Sequence, residues 1–163
     1  MTEPTLDIQQ PQPFDIVGQD VLIAGNAAGF EATLSVSIAD GHDEVKSFVT
    51  VGSFAVRQFQ GTVTIPDDIA FKLSRLFLRI ADDTGNENGP SVTIPILYGP
   101  LILDGYTGWQ PYTVQPGDTL TKIAQEQYGN SNFAPIVAAN QQIITDPNLI
   151  FVGQFLRIPR NDT

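Results

Sequence analysis

The stretch YTVQPGDTLTKIAQEQYG, residues 112–129, carries a change of rhythm that decides how the chain is read. Its first three residues, Tyr112, Thr113 and Val114, read as a short strand. From Leu120 onward Ile123, Ala124 and Tyr128 recur at helical spacing, so an amphipathic helix follows the strand. Asp118 stands where an N-cap is needed, and Gly129 where a left-handed residue ends a helix. A second helix is expected from Asn132. Pro135 is tolerated in its first turn, and Phe133, Ile136 and Val137 form an apolar side up to Asn140. The run FLRI, residues 155–158, stopped by Pro159, reads as a returning strand. Residues 111–159 therefore predict a small α+β unit of order strand, helix, helix, strand, whose helices must pack tightly on a two-stranded sheet to close a core.

Upstream the period changes from that of a helix to that of a strand. Residues 5–99 contain short apolar runs with alternation, cut by Gly, Asp, Asn and Pro turns, with strands expected at 21–27, 30–39, 45–51, 59–65, 76–81 and 92–97. In FEATLSVSIA, residues 30–39, Phe30, Ala32, Leu34, Val36 and Ile38 fall on one face, and Glu31, Thr33, Ser35 and Ser37 on the other. One face is expected buried and one wet. Strands without intervening helices predict an all-β, immunoglobulin-like antiparallel sandwich. Between the units, residues 100–110 carry Leu101, Ile102, Leu103, Tyr106 and the single Trp, Trp109. That is too much apolar surface for a free tether, so a packed linker is expected, with Trp109 and residues 101–103 at least half buried. Trp109 reads first as a packing anchor and second as a stacking platform for a sugar ring.

Composition bounds the function. Of 163 residues, 42% are hydrophobic and 16% charged, with 14 Gly and 12 Pro, which suits a turn-rich globular chain. Eight Lys and Arg against 18 Asp and Glu give a net charge of −10. Such a balance repels phosphate backbones and anionic lipid heads, so neither nucleic acid nor a membrane surface is an expected partner. The absence of Cys removes disulfides, thiolate metal sites and thiol nucleophiles. No segment approaches an apolar membrane helix, and the opening MTEPTLDIQQPQPFD has neither a basic nor an apolar signal region. As written, the chain reads as cytoplasmic, or as a cell-envelope protein if it is trimmed or exported by another route. The one His, His42, lies in the acidic turn ADGHDEV, and no Ser stands in a Gly-x-Ser-x-Gly elbow. No catalytic residue is assigned. The turns at 40–44 and 82–88 are rich in oxygen ligands but lack the spacing of a calcium loop, so no metal and no cofactor is expected.

Set in order, the Tyr-x-Val-x-x-Gly-Asp-Thr-Leu opening, the Ile-Ala helix, Asn140 and the Asn-Leu-Ile-x-x-Gly-Gln-x-Leu-x-Ile-Pro ending resemble a lysin motif (LysM) domain over residues 111–159. The segment PFDIVGQDVLIAGNAAGFEA, with the turn DDTGNENG, resembles the immunoglobulin-like domain of bacterial spore germination. The LysM resemblance implies non-catalytic binding of glycans containing N-acetylglucosamine, as in peptidoglycan or chitin, in a shallow groove between two loops. Carried onto this chain, the first wall is Gly117, Asp118, Thr119 and Leu120, and the second is Pro147, Asn148, Leu149 and Ile150. An acetamide needs amide partners and a small apolar spot, which Leu120, Leu149 and Ile150 suit. Each residue also has a plainer role: Asp118 as N-cap, Leu120 and Ile150 as core, Pro147 and Asn148 as a turn. Thr121 and Lys122 depart from the family pattern, in which an aromatic or small residue often follows the Leu. The resemblances imply an adaptor that attaches to cell-wall glycan and uses its immunoglobulin-like domain as a spacer or to hold a protein partner. The alternative is an intracellular structural protein of a phage-tail-like baseplate or injection system, with the LysM domain docked on protein.

Overall fold

Alternating apolar residues build the first unit. The computed structural model describes residues 5–28, 33–51, 57–82 and 89–162. The chain divides into two units, Met1–Leu97 and Tyr98–Thr163. In the first, β1 (Thr5–Gln10), β3 (Asp20–Ala28) and β6 (Arg57–Thr64) form a three-stranded sheet in the order β1-β3-β6, with β2 being Ile16–Val17. A second sheet runs β2-β8-β7-β4-β5, where β4 is Thr33–Ala39, β5 is Glu44–Thr50, β7 is Arg75–Ala81 and β8 is Ser91–Tyr98. β3 pairs antiparallel with β1 and β6, β4 with β5 and β7, and β7 with β8. This is the mostly β, immunoglobulin-like arrangement that the alternation predicts, and no helix occurs among the described residues before Tyr98.

Register explains the core of that unit. Leu34 sits opposite Val49, Ile38 opposite Val45 and Leu78, and Val36 opposite Ile80, and all of these are buried. Their cross-strand contacts are the unit of sheet stability. The other face of β4 corrects an expectation, because Thr33, Ser35 and Ser37 are half-buried rather than wet. The strand lies between β5 and β7, so Ser37 is flanked on both sides, with Lys46 and Arg79 as its register neighbours. Phe30, Glu31, Ala32 and the turn at 83–88 lie outside the described residues. The strands β1 and β2 are absent from the sequence reading. In TLDIQQ polar residues dominate, and Ile16–Val17 is too short to show a period.

In the second unit a one-turn helix, α1 (Gly99–Ile102), precedes β9 (Tyr106–Thr113), α2 (Leu120–Tyr128), α3 (Ala134–Ala139) and β10 (Phe155–Asn161). β9 and β10 pair antiparallel, with Tyr112 opposite Leu156 and Gln110 opposite Ile158. Residues 100–110, expected as a packed linker, hold most of α1 and the first half of β9. Ile102 is buried, whereas Leu101 is 46% and Trp109 42% exposed. Trp109 makes an edge-to-face contact with Phe155 at 6.3 Å, and the Arg157 guanidinium lies 5.9 Å from the indole centroid. The helices close the core of Val114, Leu120, Ile123, Ala124, Ile136, Ile144, Leu156 and Ile158. Tyr112, Tyr128, Phe133, Val137 and Ile150 pack around it. No helix among the described residues is long and apolar enough to cross a membrane.

Two helix boundaries differ from expectation. The N-cap of α2 is Thr119, whose hydroxyl accepts from the Lys122 N–H at 3.2 Å, and not Asp118. Asp118 is drawn back toward β9 instead. α3 starts at Ala134, and Asn132 precedes it as a turn residue, its side-chain oxygen accepting from the Ala134 N–H at 3.2 Å. Gly129 ends α2 at φ 72°, as its position predicts.

Candidate functional site

The first loop leaves β9 and must reverse direction before α2 begins. Gly117 supplies the left-handed conformation this requires, at φ 85°, in a turn closed by the Asp118 N–H to the Gln115 carbonyl at 3.1 Å. Asp118 then locks the turn. Its Oδ2 accepts from the Gln115 N–H at 2.8 Å and from the Tyr112 hydroxyl at 2.6 Å. Both bonds fall on one carboxylate oxygen. The Tyr112 hydrogen bond, and after it the Gln115 N–H, hold the Asp118 carboxyl below the usual carboxylate range. The same bond, with burial second, pushes the Tyr112 hydroxyl up to about 12. Lys122 extends its ammonium to the Gly117 carbonyl at 3.0 Å.

The second loop is held as firmly. Asp146 accepts through Oδ1 from the Asn148 N–H at 2.9 Å and through its carbonyl from the Leu149 N–H at 3.0 Å, an Asx-type turn around Pro147. Gln154 brackets Phe151, its side-chain oxygen accepting from the Phe151 N–H at 3.1 Å. The Val114 N–H donates to the Gln154 carbonyl at 2.9 Å, and the Gly153 N–H to the Val114 carbonyl at 2.8 Å. These last bonds tie the second loop to the end of β9, where the first loop begins.

The two loops face one another across a cavity of about 290 Å³. Of the residues read from the sequence, Asp118, Thr119, Leu120, Pro147, Asn148 and Ile150 line it. Gly117 and Leu149 are not among the lining residues: Gly117 shapes the turn behind the wall, and Leu149 is 54% exposed. Thr121 and Phe133 line the cavity although the sequence reading assigned neither to it. Phe133 carried a signal, as an apolar residue at the start of the second helix, but its place beside the first loop depends on how α3 packs against α2. Leu120 serves both as core, at 2% exposure, and as groove floor. The lining thus offers hydroxyls, an amide, one carboxylate and an apolar floor, which suits neutral polar groups carrying a small apolar substituent.

Outside this groove the acidic turn at 40–44 has a structural use. Asp40 is 5% exposed, and its two oxygens accept from the N–H groups of His42, Asp43, Lys72 and Leu73, while His42 itself is exposed. Among the described residues no three His, Asp or Glu side chains converge as a metal site.

Comparison with known proteins finds a family match in each unit. Residues 112–159 match the LysM domain, and residues 5–83 match the immunoglobulin-like domain of bacterial spore germination. The chain is similar to the potassium binding protein Kbp of Escherichia coli, 46% identical over 54 residues, which is 32% of this chain and 36% of that one. It is also similar to the secreted LysM effector Mgx1LysM of Zymoseptoria tritici, 45% identical over 49 residues, 30% of this chain and 50% of that one. An uncharacterized protein of Deinococcus radiodurans is 47% identical over 57 residues, 34% of this chain and 22% of its own length. The chain thus spans half or less of the length of these relatives. The chain carries an immunoglobulin-like domain of bacterial spore germination at residues 5–83, followed by a LysM domain at residues 112–159.

Proposed function

We propose that this chain is a non-catalytic adaptor that binds N-acetylglucosamine-containing glycan, of the peptidoglycan or chitin type, in the groove between residues 117–120 and 147–150. Its immunoglobulin-like domain is the spacer or the seat of a protein partner. The observation that carries the reading is the convergence of two hydrogen-bonded loops, far apart in sequence, on one cavity of about 290 Å³ lined by polar and apolar side chains. In this reading the acetamide methyl rests on Leu120, Ile150 and Phe133, and its amide and the sugar hydroxyls reach Asp118, Thr119 and Asn148. A second reading, docking on protein, draws support from Phe151 and Val152 beside the second wall, which are 62% and 65% exposed.

Titration of the full chain with N-acetylglucosamine oligomers, followed by amide NMR, tests the proposal. Amide signals of residues 117–120 and 148–150 shift and those of the first unit do not, with a dissociation constant of about 10 μM to 1 mM for a single shallow site. Lys122→Ala leaves binding of these neutral oligomers nearly unchanged. Silence of both loops at millimolar oligomer refutes the glycan reading and favours protein docking.

A further inference from the structure

We infer that the groove discriminates by charge, taking uncharged N-acetylated glycan segments in preference to segments whose sugars carry carboxylates. The inference rests on the glycan reading above and names the chemistry of the preferred ligand. Within the LysM domain, residues 112–159, the chain has three carboxylates, Asp118, Glu126 and Asp146, and two cations, Lys122, which is exposed, and Arg157, which is buried and donates to the Ala139 carbonyl at 2.6 Å. Of these, Asp118 lines the cavity, and Asp146 immediately precedes the lining pair Pro147 and Asn148. A carboxylate thus stands in or beside each wall. Both intramolecular bonds to Asp118 fall on Oδ2, and its carboxylate, as a lining group, accepts hydrogen bonds from a ligand's amide or hydroxyl and repels a ligand's carboxylate. Lys122 is not among the lining residues; its ammonium donates to the Gly117 carbonyl at 3.0 Å and is close enough to Asp118 to help hold that carboxyl low, so it offsets part of the charge of the first wall. The remaining lining groups are neutral. A ligand carboxylate entering the groove therefore meets fixed negative charge without a lining cation to pair with it, in a chain whose net charge is −10.

The size of the effect follows from exposure. The groove is open to water, so each ligand carboxylate is disfavoured modestly, by a factor of about three to ten in affinity at low ionic strength. The penalty is electrostatic and must fade as salt screens it. A purely steric rejection of a bulky acid substituent has no such salt dependence.

The test compares chitotetraose with a tetrasaccharide of alternating N-acetylglucosamine and N-acetylmuramic acid, titrated into the full chain at about 20 mM and about 300 mM salt. Both titrations are read from the loop amide shifts. Chitotetraose is expected to bind more tightly at low salt, with the ratio narrowing at high salt. Asp118→Asn narrows the low-salt ratio, because Asn keeps an acceptor for Tyr112 and Gln115 while removing the charge. Lys122→Ala widens it by removing the exposed cation of the domain. Equal affinities at low salt, tighter binding of the carboxylate-bearing ligand, or a ratio insensitive to both salt and Asp118→Asn overturns the inference and leaves the glycan site standing. If neither ligand moves either loop, the site itself is refuted and the selectivity with it.

Discussion

Asn140 is fully buried, and each of its side-chain polar atoms has a partner. Its Nδ2 donates to the carbonyls of Ile136 at 2.7 Å and Arg157 at 2.8 Å, and its Oδ1 accepts from the Arg157 N–H at 2.9 Å. One side chain therefore joins the end of α3 to the outer edge of β10. Asn140→Ala would strand the Arg157 N–H and carbonyl in the interior, and the expected cost is about 3 kcal/mol, measured as a lowered urea midpoint of the second unit. Asp40 plays the matching part in the first unit. The Asp43 N–H, with those of Lys72, His42 and Leu73, holds its carboxyl well below the usual carboxylate range, against the opposing effect of desolvation. A depressed folded-state value stabilises the fold above the unfolded value, near 4, and the gain is lost as pH falls through the lower folded value. Asp118 has the same sign in the second unit. Urea unfolding at neutral pH and in acid should show Asp40→Asn less stable than wild type at pH 7, with a shallower loss of stability on acidification.

The boundary of α2 shows how far a local pattern reaches. Asp118 and Thr119 are both good cap residues, and apolar spacing from Leu120 admits either. What decides between them is tertiary: the carboxylate of Asp118 is taken by Tyr112 and Gln115, leaving the Thr119 hydroxyl to receive the Lys122 N–H. Thr119→Ala should therefore cost about 1 kcal/mol by chemical denaturation and Thr119→Ser far less. The same limit governs the rest of the reading. Period-2 alternation was legible in β3 to β8 and helical spacing in α2, because each of those elements buries one face. β1, β2 and α1 were not legible, since TLDIQQ, IV and GPLI are too polar or too short to carry a period. For the groove, the wall residues were reached through the resemblance to LysM. Thr121 and Phe133 were missed because lining a cavity depends on how two helices pack, which no spacing within either helix records.

The second unit closes its own core, and its tyrosines and its hairpin say what it needs to do so. Burial pushes the Tyr128 hydroxyl up to about 12, and it donates to the Pro159 carbonyl at 3.0 Å, joining α2 to β10. Tyr112 is raised to the same level by its bond to Asp118. For a group raised in the folded state, the contribution is complete below the unfolded value, near 10, and is lost as pH rises through the folded one, so stability should fall between about pH 10 and 12. A second requirement is the length of β9. The LysM match begins at residue 112, yet strand pairing runs back to Tyr106, with Gln110 opposite Ile158, Trp109 opposite Pro159 and Gly108 opposite Arg160. Gln110 also bridges α2 and β10, donating to Gln127 Oε1 at 2.5 Å and accepting from Arg160 Nη1 at 2.6 Å. A fragment of residues 98–163 keeps the strand pairing of residues 106–110 and the Gln110 bridge, whereas one starting at residue 111 loses both. The longer fragment is therefore expected to unfold cooperatively in urea, and the shorter to be weaker by at least about 2 kcal/mol, since half a hairpin ladder and a side-chain bridge are lost. Equal urea midpoints for the two fragments would mean that residues 98–110 contribute nothing to the LysM fold and that the Tyr106 end of β9 is an extension laid on a domain already complete.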